Sequence, residues 1–170
     1  MEKNLPNIAV IGLGLIGSSI AHAAKQNGAA ASITGFDHSQ DVRNEAKQIN
    51  LPITLTEDIC SAVIDADIVF LAVPVGAMAE VVTNIISHLK PGVIVTDTGS
   101  TKQSVIDDIQ PLLPDSIFFV PGHPLAGTEF SGPSAGFSSL FRNHYWLLIS
   151  DDEMKHPVAI LAAFCKKLGA

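Results

Sequence analysis

Three glycines and one histidine hold the chemistry this sequence suggests. Gly12, Gly14 and Gly17 stand in G-x-G-x-x-G spacing within "GLGLIG". Such a match carries meaning only in context: a strand before it, a helix after it, and an acidic residue closing the next strand. All three are present. "NIAVIG" leads into the turn, and "ASITGFD" ends in Asp37, twenty residues beyond Gly17. In that setting Gly12 permits the tight turn, Gly14 lets a pyrophosphate approach the backbone, and Gly17 lets helix and strand pack closely. The N–H groups around Leu15 and Ile16 open the helix and face the anion. Asp37 accepts hydrogen bonds from adenosine ribose hydroxyls and repels a 2′-phosphate, which favours NAD over NADP. His38 comes next, and a neutral imidazole is a poor phosphate clamp. A tight turn without a ligand, and a merely turn-forming Asp37, are the plain alternatives.

His123 lies far along the chain in "VPGHPLAGTE". Pro121 and Pro124 restrict the backbone around it. Imidazoles titrate near pH ~6.5, which suits one to accept the proton of an alcohol. Ser100, in "TGSTK", is the nearest hydroxyl of another strand end. It is placed to bond the imidazole or a substrate oxygen. Alcohol dehydrogenation needs such groups, because losing hydride from carbon goes with losing a proton from oxygen. On the residues alone, His123 is equally a loop residue bonded to a carbonyl, and "TGST" equally a helix cap. Lys102 and Glu129 read as solvated charges. His22, His88, His144 and His156 show no partner pattern and read as structural. No spacing of His, Cys, Asp or Glu suggests a metal site.

The elements that would position these residues alternate. Strands are predicted at 7–12, 31–37, 66–73, 93–97, 116–120 and 144–150. Helices are predicted over 13–27, from about Ser39, over 76–89 and over 155–168, the last closed by Gly169. Such alternation means βαβ units: an α/β, Rossmann-type, doubly wound and mostly parallel sheet with helices on both faces. Ligands of such sheets lie at the carboxyl ends of the strands. Those ends are Gly12, Asp37, "AVPV" with Val73 and Pro74, "DTGSTK" and "PGHPLAG". The region 121–143 has no clear period, and a long irregular loop in a compact domain is commonly functional.

The totals narrow the class. The chain has 170 residues, 47% apolar, which suits one dinucleotide-binding domain over 1–170. A net charge of −7 and the lack of a basic run argue against nucleic acid. No apolar run approaches the ~20 residues of a membrane span. "IAVIGLGLIGSSIAHAA" has a superficial likeness to a secretory signal, but Glu2 offsets Lys3 and the glycines break the run. Cys60 and Cys165 form no CxxC and suit a reducing, cytoplasmic setting.

Taken in order, "VIGLGLIGSSIA", "DIVFLAVPV", "VTDTGSTK" and "PGHPLAGTEFSG" resemble the nucleotide-binding half of prephenate dehydrogenases and the related arogenate and cyclohexadienyl dehydrogenases. The resemblance covers essentially the whole chain, and "GHPLAGTE" behind "DTGSTK" is its specific part. It implies oxidative decarboxylation of prephenate or arogenate with NAD or NADP, in tyrosine biosynthesis. It implies that His123 polarises or deprotonates the ring 4-hydroxyl, that hydride leaves ring C4 for the nicotinamide, and that the ring carboxylate departs as CO2. It implies that Ser100 orients substrate and histidine, and that Glu129 stands at the pocket entrance.

Two departures are visible. Thr101 stands where many relatives carry valine. The family also has a helical second domain that forms a homodimer and supplies an arginine for the substrate carboxylate. This domain is expected to be absent here, and Arg43 and Arg142 match no family motif. The competing reading is an NAD-binding module without turnover of its own. A β-hydroxyacid or imine dehydrogenase would want a catalytic Lys or Asp on a later helix, where 155–168 offers surface-type lysines.

Overall fold

The computed structural model describes residues 5–150 and 154–170. Its centre is a six-stranded sheet built from β1 (Asn7–Ile11), β2 (Ser32–Phe36), β3 (Thr54–Leu55), β4 (Ile68–Leu71), β5 (Ile94–Asp97) and β6 (Phe118–Phe119). The order is β3-β2-β1-β4-β5-β6, and every neighbouring pair is parallel. The chain reverses direction across the sheet between β1 and β4, which opens a crevice at their carboxyl ends.

Both faces of the sheet are covered, because side chains alternate along each strand. Ile8, Val10, Ile68 and Phe70 point to one core, which α1 (Leu15–Gln26) and α6 (Lys155–Leu168) close with Ile20, Leu161 and Phe164. Ala9, Ile11, Val69 and Leu71 point to the other. There α3 (Ile59–Val63), α4 (Met78–Ile85) and α5 (Lys102–Ile109) contribute Val63, Val82, Ile85 and Ile109. Continuous burial of β4 and β5 is what a central parallel strand requires.

Capping explains where several helices begin. The Ser39 hydroxyl accepts from the Val42 N–H and starts α2 (Gln40–Gln48). Asp58 accepts from the Ser61 N–H and starts α3, an element the sequence pattern does not announce. Gly169, at φ 110°, closes α6 in the left-handed conformation expected of it. The predicted 76–89 helix divides into a 3₁₀ turn at Val75–Ala77, α4, and a second 3₁₀ turn at Ile86–His88.

The predicted strand at 144–150 departs most from expectation. It shortens to β8 (Trp146–Leu148) and does not join the parallel sheet. Instead it pairs antiparallel with β7 (Gly122–Pro124), setting His123 opposite Leu147. "YWLLI" reads as a doubly buried strand because it is apolar on both sides. In the structure only one side is covered. Trp146 packs 4.9 Å from the Phe141 ring and 6.1 Å from Phe70, ring centre to ring centre. Tyr145, Leu147 and Ile149 remain exposed.

The irregular region beyond β7 is tied down at several points. Ser134 N–H donates to Glu45 Oε1 at 3.0 Å, and Phe137 N–H donates to the Ser19 hydroxyl at 3.1 Å. A side chain at Gly136 would lie 2.4 Å from Ser18 Cβ, so the loop lies flat on α1.

Candidate functional site

At the carboxyl ends of β1, β2 and β4 lies a cleft of about 710 Å³. Gly12, Gly14, Asp37, Val73 and Pro74 all line it, together with Phe36, His38 and Glu80. The structure thus gathers five of the residues expected to hold a cofactor. Leu15, Ile16 and Gly17 stand one step behind, as the first turn of α1. The first N–H groups of a helix have no carbonyl partner inside it, and they give the turn its affinity for anions.

Each glycine has its own geometry. Gly12 sits at φ 95°, and a Cβ there would lie 2.4 Å from the Ala72 carbonyl oxygen. A Cβ on Gly17 would lie 1.9 Å from the Gly12 carbonyl oxygen, so α1 can close on β1 only through glycine. A Cβ on Gly14 meets nothing within 4 Å. That open space lies at the start of α1. The positive φ, the open space and the close packing thus fall on separate residues.

Asp37 is 8% exposed and accepts two backbone N–H groups. Its Oδ2 accepts from Leu13 at 2.9 Å, and its Oδ1 accepts from Ser39 at 2.9 Å. Both Asp37 and His38 line the cleft, and His38 Nδ1 comes within 3.3 Å of Asp37 Oδ1. Arg43, which matches no family motif, supports this corner from behind. Its guanidinium lies over the Phe36 ring at 5.6 Å and donates to the carbonyls of Asp37 at 2.5 Å and His38 at 3.1 Å.

His123 is half-buried in β7 rather than in a loop, with Ser100 in the exposed turn before α5. The His123 imidazole has no hydrogen-bond partner among the described residues, so the carbonyl-bound alternative is not what the structure shows. Ser100 and Glu129 are exposed and likewise show no side-chain hydrogen bond, and none joins Ser100 to His123. None of the three lines the 710 Å³ cleft.

What lies between Ser100 and His123 is a charged pair the sequence reading passed over. Asp97 ends β5 with no exposed surface. Lys102 is not a solvated charge: its side chain is 15% exposed and its ammonium contacts Asp97 Oδ2. The same ammonium donates to the Gly122 carbonyl at 2.6 Å. A carboxylate at the end of a fully buried run was the available signal, since buried charge is rare unless paired. A second hollow of about 480 Å³ lies by the amino ends of β1 and β4, between Leu5, Pro6 and α6. Its walls are mostly apolar, with His156 and Lys167 among them, and neither Asp97 nor Lys102 lines it.

A parallel sheet of this order with a glycine turn, an acidic residue on the second strand and a cleft at the switch point defines a Rossmann-type dinucleotide-binding protein. The comparisons narrow the class further. Residues 20–170 match the family described as "Prephenate dehydrogenase, nucleotide-binding domain", and the chain belongs to that family. It is 45% identical over 164 residues to the cyclohexadienyl dehydrogenase of Zymomonas mobilis, covering 96% of this chain and 56% of that protein. It is 35% identical over 151 residues to the prephenate dehydrogenase of Lactococcus lactis, covering 88% and 42%. The chain therefore spans about half the length of the curated relatives it matches. Among solved structures, the prephenate dehydrogenase of A. aeolicus in complex with hydroxyphenyl propionate and NAD+ shares the fold. Its TM-score is 0.88 at 24% identity, over 99% of this chain and 59% of that one. The Synechocystis arogenate dehydrogenase gives a TM-score of 0.85 at 29% identity, over 96% and 57%.

Proposed function

We propose that residues 1–170 form the dinucleotide-binding domain of an NAD-dependent dehydrogenase acting on prephenate or arogenate. The observation that carries the reading is the unengaged His123 imidazole, half-buried on β7, whose Gly122 is hydrogen-bonded to Asp97 at the carboxyl end of β5. NAD fits this chain: Gly14 leaves room for the diphosphate at the start of α1, and Asp37 offers a carboxylate to the ribose. Val73 and Pro74 shape the wall beneath. When bound, NAD supplies the hydride acceptor. The acidic Asp37 opposes a 2′-phosphate, so NADP is the weaker ligand.

His123 then takes the proton of the ring 4-hydroxyl as the ring carbon gives up its hydride. Loss of the ring carboxylate as CO2 leaves an aromatic product. Ser100 orients the substrate oxygen and Glu129 stands at the entrance. Directly opposed residues of an antiparallel pair share a face, so His123 points to the same side as exposed Leu147. That apolar surface suits cover by the remaining length the relatives possess, which also supplies the substrate-carboxylate cation and a homodimer contact. A chain restricted to these residues, binding NAD without turning over, is the second reading, favoured by that exposed face. Free Cys60 and Cys165 suit a cytoplasmic protein. Among the described residues no helix is long and apolar enough to cross a membrane.

The test is NADH formation with prephenate, then arogenate, by the wild-type chain and by His123→Asn. Turnover that His123→Asn lowers by roughly 10²–10⁴-fold, the range for a general base, supports the reading. NAD binding without turnover of either substrate supports the module. Equal turnover by His123→Asn sinks the role of His123.

A further inference from the structure

Gly99 immediately precedes Ser100, and Gly122 immediately precedes His123. Both glycine N–H groups end on one carboxylate. Asp97 Oδ2 accepts from Gly99 at 2.9 Å, and Asp97 Oδ1 accepts from Gly122 at 3.1 Å. The Gly122 carbonyl is held too, by Lys102 Nζ at 2.6 Å. The peptide groups on both sides of Gly122 are therefore fixed by one ion pair.

The approach is close at both positions, and at Gly122 a side chain would meet backbone. A Cβ on Gly122 would lie 2.8 Å from the Asp97 carbonyl oxygen and 2.9 Å from Thr96 Oγ1. A Cβ on Gly99 would lie 2.8 Å from Val75 Cγ2 and 3.1 Å from Asp97 Oδ2. Joining β5 to β7 needs no charge, since apolar packing does that at lower desolvation cost. What a buried carboxylate adds is direction: two acceptor oxygens in one plane, one aimed at the turn before α5 and the other at the start of β7.

We propose that Asp97 is the positioning residue for both Ser100 and His123, with Lys102 as its counter-ion. The inference rests on the reading of Ser100 and His123 as substrate-contacting residues. Asp97 itself reaches neither substrate nor cofactor. It acts through the backbone of Gly99 and Gly122. Lys102 also fixes how an amide would sit at this position. In Asp97→Asn the amide oxygen turns to the ammonium, and the –NH2 then faces the Gly122 N–H. The bond before His123 is lost while the bond before Ser100 survives.

The experiment is NMR on the isotope-labelled 170-residue chain, with thermal melting and NAD calorimetry beside it. In Asp97→Asn the Gly122 amide is expected to exchange roughly tenfold faster or more, as for a lost hydrogen bond to a charged group, with Gly99 much less affected. The ring resonances of His123 move, those of the other histidines do not, and NAD affinity stays within about twofold. Lys102→Arg retains the parent behaviour. If Asp97→Asn does not fold, Asp97→Ala/Lys102→Met removes both charges together, and the Gly99 and Gly122 amides are then both expected to exchange faster, since both lose their acceptor. A folded variant in which the Gly122 amide and the His123 ring behave as in the parent overturns the proposal, as does a shift shared by every histidine. Failure of the dehydrogenase reading looks different. It leaves these NMR effects in place while neither substrate is oxidised.

Discussion

The Asp37 carboxylate accepts the Leu13 N–H at 2.9 Å, so the end of β2 is hydrogen-bonded to the glycine turn that follows β1. The residue expected to read the ribose therefore also shapes the loop that receives the diphosphate. Asp37→Ala should consequently do two things. Loss of a hydrogen bond to a charged group costs about 1.5–3 kcal/mol, which should appear as a lower Tm. NAD affinity should fall roughly tenfold or more, and NADP affinity should fall less, because the charge opposing its 2′-phosphate is gone. Asp37→Asn is no mild substitute, since both carboxylate oxygens accept N–H groups and an amide turns a donor toward one of them. Calorimetric titration with both cofactors checks this, and equal losses for NAD and NADP would remove Asp37 from ribose recognition.

Gly14 and Gly17 separate binding from folding. With open space around Gly14, Gly14→Ala should leave the melting temperature near that of the parent. Its methyl should obstruct the diphosphate and weaken NAD. Gly17→Ala puts a methyl 1.9 Å from the Gly12 carbonyl oxygen, where backbone would have to move. Overpacking of this kind costs about 1–3 kcal/mol or more, so Gly17→Ala should melt markedly earlier or fail to accumulate. A Gly14→Ala protein that binds NAD normally would show that the diphosphate does not cross this turn.

These contrasts also show where the sequence was readable. Gly12, Gly14, Gly17 and Asp37 were legible because their roles are local: a turn, a helix start, a strand end at fixed offsets. The helix ending at Gly169 was legible for the same reason. Asp97 and Lys102 were not. Their meeting with Gly122 joins residues 25 and 20 positions apart, and no offset announces it. Arg43 matched no family motif, and no local offset announced that its guanidinium donates to the Asp37 and His38 carbonyls and to Gln40 Oε1. The placement of β8 was lost because hydrophobic pattern alone does not tell a strand covered on both sides from one with a bare face.

The two thiols should behave as different species. Burial pushes the Cys165 thiol up to about 12, and it sits on the core-facing side of α6. Thiolate is the reactive form, so Cys165 is protected twice, by protonation and by access. Cys60 is half-exposed beside the Asn84 carbonyl. A disulfide reagent at pH 8 should therefore modify one thiol per native chain quickly, mapping to Cys60, and the second only on unfolding. Two fast equivalents in the native protein would mean that α6 opens readily from the sheet.

Glu45 gives the loop over α1 a pH dependence of definite sign. Hydrogen bonds from Ser134, side chain first and then backbone, hold the Glu45 carboxyl below the usual glutamate range. A carboxylate whose folded value is depressed contributes stability that is fully present above its unfolded value, about 4.3, and lost as pH falls through the folded value. The Ser134 amide should thus be protected from exchange at neutral pH and lose that protection as the pH falls through the depressed folded value, below the usual glutamate range. Phe137 provides the internal control, because its N–H donates to the Ser19 hydroxyl, which does not titrate in this range. Amide protection factors measured from pH 7 to 3 should diverge for the two residues. Flat protection at Ser134, or parallel loss at both, would mean that the loop is held by its packing on Ser18 and Ser19 and that Glu45 contributes nothing measurable.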